Sequence, residues 1–159
     1  MAYEENSYQV VQKFEKFEIR FYQERYVIQV RYNNEGGGFQ KLFNYISGKN
    51  QKSEKIEMTT PVTQYASGNQ QIMQFYLPNR FDQNNASLPL NNSVEIASIK
   101  AGYFAVIRYS GFASDKNFFK HPGIDAKGIT RAVFKNIENI ISGSRLEGAS
   151  TITQQVAKN

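Results

Sequence analysis

Few residues of this chain are able to do covalent or metal chemistry. None of the 159 residues is cysteine, which excludes disulfides, thiolate metal sites, cysteine nucleophiles and cysteine-linked prosthetic groups. The single histidine, His121, stands beside Pro122 and Gly123, a context that reads as a surface loop rather than a metal ligand. Met58 and Met73 are alternative soft donors, but methionine is also ordinary core filling. The chain is rich instead in aromatic surface: ten tyrosines and twelve phenylalanines offer large contact area to a core or to a flat ligand. The most ordered apolar set is Phe39, Leu42, Phe43 and Ile46, with Lys41 and Lys49 close by in sequence. Their three- and four-residue spacing predicts a short amphipathic helix, one face of which must be buried. Residues so spaced are more often simply core than ligand contacts.

The elements around that helix read as strands. Tyr8–Phe14, Phe17–Tyr22 and Arg25–Tyr32 alternate apolar and polar residues and are enriched in Val, Ile, Tyr and Phe, which fits half-buried antiparallel strands. Asn33–Gly38 breaks the pattern before the helix, and Gly48–Asn50 ends it. Strand signals resume at Ile56–Ala66, Gln70–Leu77, Ser93–Lys100 and Gly102–Ser110, separated by Gly-, Asn- and Pro-rich turns. Pro78–Asn92, with Pro89 and a run of asparagines, reads as an exposed turn between sheet strands. Beyond Phe112 the character changes. Ile129, Val133, Phe134, Ile137, Ile140 and Ile141 fall on a helical period within Ala126–Ile141, followed by a Gly-, Ser- and Thr-containing tail. No repeat of solenoid period is present, and the order of elements is α+β.

The length suits one domain with a proper core. The start of the chain contains acidic residues and no apolar run of signal-peptide length, and no stretch approaches the roughly 18 apolar residues of a membrane span; a soluble, cytoplasmic protein is expected. The net charge of +5 comes from lysines and arginines spread among acids without a basic block, so a solvated basic surface is expected and nucleic-acid binding is not.

Four segments in order, Phe39–Asn50 (FQKLFNYISGKN), Lys55–Val62 (KIEMTTPV), Met73–Phe81 (MQFYLPNRF) and Phe104–Gly111 (FAVIRYSG), resemble the SOUL/haem-binding-protein family over about residues 8–112. The resemblance implies a distorted antiparallel β-barrel built from two β-α-β-β halves with two flanking helices, and a tetrapyrrole groove beside the first helix. The cofactor it implies is haem or another tetrapyrrole, a flat apolar disc with two carboxylates. Phe39, Leu42, Phe43 and Ile46 would then supply a wall, with Lys41 and Lys49 near the basic rim. The missing histidine lowers the expected affinity without excluding porphyrin binding.

Residues Asp115–Asn136 and Glu147–Asn159 resemble a different family, the family 51 peptidoglycan glycosyltransferase module of class A penicillin-binding proteins. Thr151, Gln154, Gln155 and Lys158 match positions that the resemblance assigns to a pyrophosphate-binding run. Catalysis is not implied, because Ser114 stands where that family places a glutamate general base. The chain therefore reads as a chimeric or truncated sequence: residues 1–112 form a SOUL-like domain whose C-terminal strands are incomplete, and residues 113–159 a helical segment packed on it. The expected function is non-catalytic tetrapyrrole binding. The alternatives are a ligand-free interaction or structural module of the same fold and, behind it, a transglycosylase remnant.

Overall fold

The computed structural model describes residues 3–15, 17–33 and 37–106, all within one compact unit. They form β1 (Glu4–Glu5), β2 (Tyr8–Lys13), β3 (Glu18–Tyr22), β4 (Arg25–Tyr32), α1 (Gly38–Ile46), β5 (Thr59–Thr60), β6 (Val62–Ser67), β7 (Gln70–Tyr76), β8 (Val94–Ile99) and β9 (Gly102–Val106). The strands make three sheets: a four-stranded antiparallel sheet in the order β6-β7-β4-β8, a three-stranded antiparallel sheet in the order β2-β3-β9, and a short parallel pair of β1 with β5.

Both chain direction and hydrogen bonding separate the larger sheets. β3 pairs with β2 and β9, whereas β4, only two residues further on, pairs with β7 and β8. A barrel needs one unbroken ladder that closes on itself. Among the described residues the ladder is interrupted between β3 and β4, and no closed barrel forms. The described helix count is one; the second helix expected at Ala126–Ile141, the tail that follows it and His121 lie outside the described residues.

The strand at the centre is β4. It was expected to be half-buried, yet Val27, Ile28, Gln29 and Val30 are all buried. The reason is topological: β4 is bonded on both sides, and both faces of its sheet are covered at its middle. Successive side chains alternate between faces. Tyr26, Ile28, Val30 and Tyr32 therefore point to one side, where α1 and the main apolar core sit, and Arg25, Val27, Gln29 and Arg31 point to the other.

α1 forms where the sequence allows it to start and stop. Gly37 caps it with φ 87°, a left-handed conformation that glycine adopts without steric cost. Gly38 packs so tightly on Tyr32 that a Cβ would stand 2.9 Å from its ring. At the far end Gly48 takes φ 106° and donates its N–H to the Tyr45 carbonyl at 3.1 Å, as helix-ending glycines do.

Two expectations for the loops change. Ile56–Ala66 is not one strand; Pro61, which has no N–H to give a ladder, separates β5 from β6, and the Thr60–Pro61 bond is cis. The segment from Pro78 to Asn92 is only partly exposed. Pro78, Phe81, Ala86 and Ser87 are buried, and Phe81 and Ala86 belong to the core that underlies α1. Polar bonds tie this loop to the end of the helix. The Tyr45 hydroxyl donates to the Ser87 carbonyl at 2.6 Å, and the Lys52 N–H donates to Ser87 Oγ at 2.9 Å. Asn50, fully buried, bonds to the Tyr45 and Glu54 carbonyls and accepts the Glu54 N–H. Burial pushes the Tyr45 phenol up to about 12, with the Glu54 charge adding to the effect.

Candidate tetrapyrrole-binding site

The four apolar residues expected to form one wall divide between two environments. Leu42 is fully buried and Ile46 nearly so, and both belong to the core between α1 and the sheet. Phe39 and Phe43 keep 46% and 42% of their surface exposed. The cause is the helical period: at about 100° per residue, positions 39 and 43 share one flank, while 38, 42, 45 and 46 centre on the sheet.

The two exposed rings are stacked, with planes 13° apart and centroids 6.1 Å apart. Phe39 also meets Phe75 of β7 edge-on at 5.1 Å. Phe75 shares its sheet face with Met73 and stands opposite Val62 of β6. Met58, Val62 and Met73 are half-buried against the core. The flank of α1 and the β6–β7 side of the sheet thus present aromatic, aliphatic and thioether groups, bordered by a hydrogen bond from Gln64 Nε2 to the Tyr32 hydroxyl at 2.6 Å. Sequence reasoning found the helical residues and missed Phe75 and Val62, since only strand register reveals that they adjoin α1.

Lys41 is not brought to the same place. On the same helical period it lies about half a turn away from Phe39 and Phe43, on the opposite flank. The basic residues placed by the chain at the Phe43 end are Lys49, which follows the helix and whose N–H bonds the Asn44 carbonyl, and Lys55, whose side chain runs beside Gly48.

These residues suit the flat apolar body of a tetrapyrrole: parallel exposed rings give a stacking surface, and half-buried methionines offer soft, adaptable contacts. Among the described residues there is no histidine and no group of three or more His, Cys, Asp or Glu able to hold a metal ion. Binding there would rest on stacking and apolar burial.

A second concavity lies at the opposite edge of the sheet, between β8 and the 78–92 loop. It holds about 430 Å³ and is lined by residues that include Tyr26, Leu88, Pro89, Glu95 and Ile96. No helix of the described residues is long and apolar enough to cross a membrane.

Residues 3–136 match the protein family described as SOUL heme-binding protein. Separately, 47 residues of the chain are 66% identical to penicillin-binding protein 1A of Rickettsia typhi, 30% of this chain and 6% of that one. A match of similar extent is 56% identical to penicillin-binding protein 1F of Bacillus subtilis. The chain spans only about 6% of the length of these relatives.

Proposed function

Because the chain belongs to the SOUL heme-binding protein family, we propose that it is a non-catalytic binder of haem or a related tetrapyrrole, held against Phe39 and Phe43 on the exposed flank of α1. The observation that carries this reading is the exposed, stacked Phe39–Phe43 pair, since large aromatic rings are left at a surface at a cost that a covering ligand removes. Leu42 and Ile46 support the site from beneath by fixing the helix on the sheet. Val62 and Met73, half-buried, extend the contact surface, and Phe75, itself buried, backs Phe39 from the core. Lys49, expected at the rim with Lys41, and Lys55 would meet the carboxylates. When bound, the tetrapyrrole would supply its own redox and spectroscopic properties.

The concavity beside β8 is apolar as well, but its lining brings a single aromatic residue, Tyr26, and so offers less ring surface to stack on. It is the weaker of the two locations. The domain proposed to bind the ligand is residues 1–112. Residues 113–159 remain a segment similar to penicillin-binding proteins, and Ser114 gives that segment no general base; lipid II polymerisation by the purified chain is expected to be nil.

Hemin titration followed at the Soret band tests the reading. We expect saturable binding with Kd of about 1 μM, corresponding to about −8 kcal/mol. Phe43→Asp, at an exposed position, should abolish it while the fold survives, and Leu88→Asp should leave it unchanged. Lys55→Glu should weaken it and increase its salt dependence. Hemin binding no stronger than that of an unrelated basic protein would remove the proposal and favour a ligand-free module; sensitivity to Leu88→Asp instead of Phe43→Asp would move the site to the β8 groove.

A further inference from the structure

On the other side of the four-stranded sheet, away from α1, the most unusual group is Arg25. It is only 6% exposed, and its guanidinium carbon lies 4.0 Å from the Tyr22 ring centroid, 4.9 Å from Phe104 and 5.1 Å from Tyr76. Three rings from β3, β9 and β7 thus surround one cation. Stacking on ring faces is favourable for a guanidinium, but it uses the flat face of the group and leaves the N–H edges unsatisfied.

The unsatisfied atoms are specific. Nε and Nη2 are buried and have no hydrogen-bond acceptor among the described residues. These two atoms form one edge of the guanidinium, the fork that receives the two oxygens of a carboxylate side-on. Arginine stays charged in proteins, so burial cannot be relieved by losing the proton, and an unpaired buried charge is strongly unfavourable. Desolvation accordingly lowers the proton affinity of Arg25 below the usual arginine value.

The neighbouring arginine, Arg20 of β3 in the three-stranded sheet, has a charged partner that Arg25 lacks among the described residues. Arg20, more deeply buried still, stacks at 3.8 Å on Tyr8, donates from Nε to its ion-pair partner Glu18 and from Nη1 to the Tyr22 hydroxyl at 3.2 Å, and leaves only Nη2 without an aligned hydrogen bond. It has a ring and a carboxylate; Arg25 has the rings alone. The acid next to Arg25 in sequence, Glu24, is committed to Lys100 at 2.7 Å.

We infer that Arg25, with its aromatic surround of Tyr22, Tyr76 and Phe104, is a binding site for a small carboxylate, accepted bidentately by Nε and Nη2. Side-chain parity puts this site on the face of β4 opposite to α1, so it is separate from the proposed tetrapyrrole site and does not rest on it. Aromatic walls favour a carboxylate with a flat or apolar body over a hydrated inorganic oxyanion such as phosphate.

Two measurements on the full chain test this. In thermal melts, benzoate at 100 mM should raise Tm by about 5 °C over sodium chloride of equal ionic strength, acetate by less, and inorganic phosphate least. Arg25→Met should remove the rise, Arg25→Lys should remove most of it by losing the fork while keeping the charge, and Phe43→Ser should retain it. In the NMR spectrum of the unmodified protein, the Arg25 Nε–H proton should move downfield on benzoate addition and saturate, a readout that needs no variant to fold. A rise that persists in Arg25→Met, an unmoved Nε–H signal, or a larger effect of phosphate than of benzoate would each overturn the carboxylate site. So would the absence of any benzoate effect together with loss of stability on replacing an acid within 107–159, since Arg25 would then be paired within the chain.

Discussion

The two faces of the β6-β7-β4-β8 sheet are buried by different means. On the α1 face, Ile28, Val30, Leu42, Tyr45, Ile46, Phe75 and Val94 form a continuous apolar cluster, and the polar atom this cluster carries, the Tyr45 hydroxyl, has its acceptor on Ser87. On the opposite face the buried residues include Arg25, Gln29, Thr63 and Gln74. All but Arg25 are held by hydrogen bonds: Gln74 Nε2 donates to Gln29 Oε1 at 2.7 Å, Gln29 Nε2 to Glu95 Oε1 at 2.6 Å, and Thr63 Oγ1 to the Tyr76 hydroxyl at 3.2 Å. The lesson is that one strand can serve two kinds of interior. The apolar face is stabilised by area removed from water and tolerates inexact partners; the polar face depends on every partner being present.

The largest expected effect tests the apolar side. Leu42→Ala removes a fully buried side chain at the centre of the helix contact and should lower the unfolding free energy in urea by about 2–5 kcal/mol. A loss under 1 kcal/mol would mean that α1 is held by its end contacts to the 78–92 loop instead.

The polar side should respond to single and paired changes in opposite ways. Gln74→Leu strands the buried Gln29 oxygen and should cost about 1–3 kcal/mol, whereas Gln29→Leu combined with Gln74→Leu should recover most of it. Chemical denaturation of the three variants measures the coupling. Additive losses would show that the hydrogen-bonded pair is not the working unit and would erase the contrast between the faces.

A pH prediction probes the polar exception on the apolar face. Tyr45 in the folded state titrates near about 12, above the value of about 10 for an unfolded tyrosine. The unfolded chain therefore gives up this proton first. The stabilisation is intact below pH about 10 and is lost between about 10 and 12, amounting to at most about 3 kcal/mol. Denaturant midpoints measured across that window should converge for the parent chain and Tyr45→Phe; parallel curves would show that the phenol is not buried in solution.

How much of this was legible beforehand follows from the same contrast. The alternation in Phe17–Tyr22 and Arg25–Tyr32 and the period of Phe39, Leu42, Phe43 and Ile46 placed β3, β4 and α1 almost to the residue, because those patterns are local consequences of strand and helix geometry. The burial of Gln29 and Gln74 was not readable, since each is tolerable only because strand register sets the other beside it. Ser87 and Phe81 were hidden for a related reason: an asparagine-rich loop looks solvated until the helix end it covers is known. For the site, periodicity identified the helix but not which residues face outward. The sheet beneath α1 decides that Leu42 is core and Phe43 is surface, and the same rotation takes Lys41 to the other flank.

That division supports the smallest stability effect and the sharpest functional one. Phe43 is 42% exposed, and its main ring partner is Phe39 on the same helix, so Phe43→Ser leaves no sealed cavity and changes helix propensity little. Its effect on unfolding should stay within about 0.5 kcal/mol, as for other surface positions. If the ring stacks on a tetrapyrrole, the same change removes contact area present only in the complex, and hemin affinity should fall about tenfold or more, a loss of about 1.4 kcal/mol or greater. Leu42→Ala would disturb folding and binding together and could not separate the roles. Phe43→Ser separates them: an unchanged melt with weakened hemin binding assigns the exposed flank of α1 to the ligand, and an unchanged melt with unchanged binding takes it away.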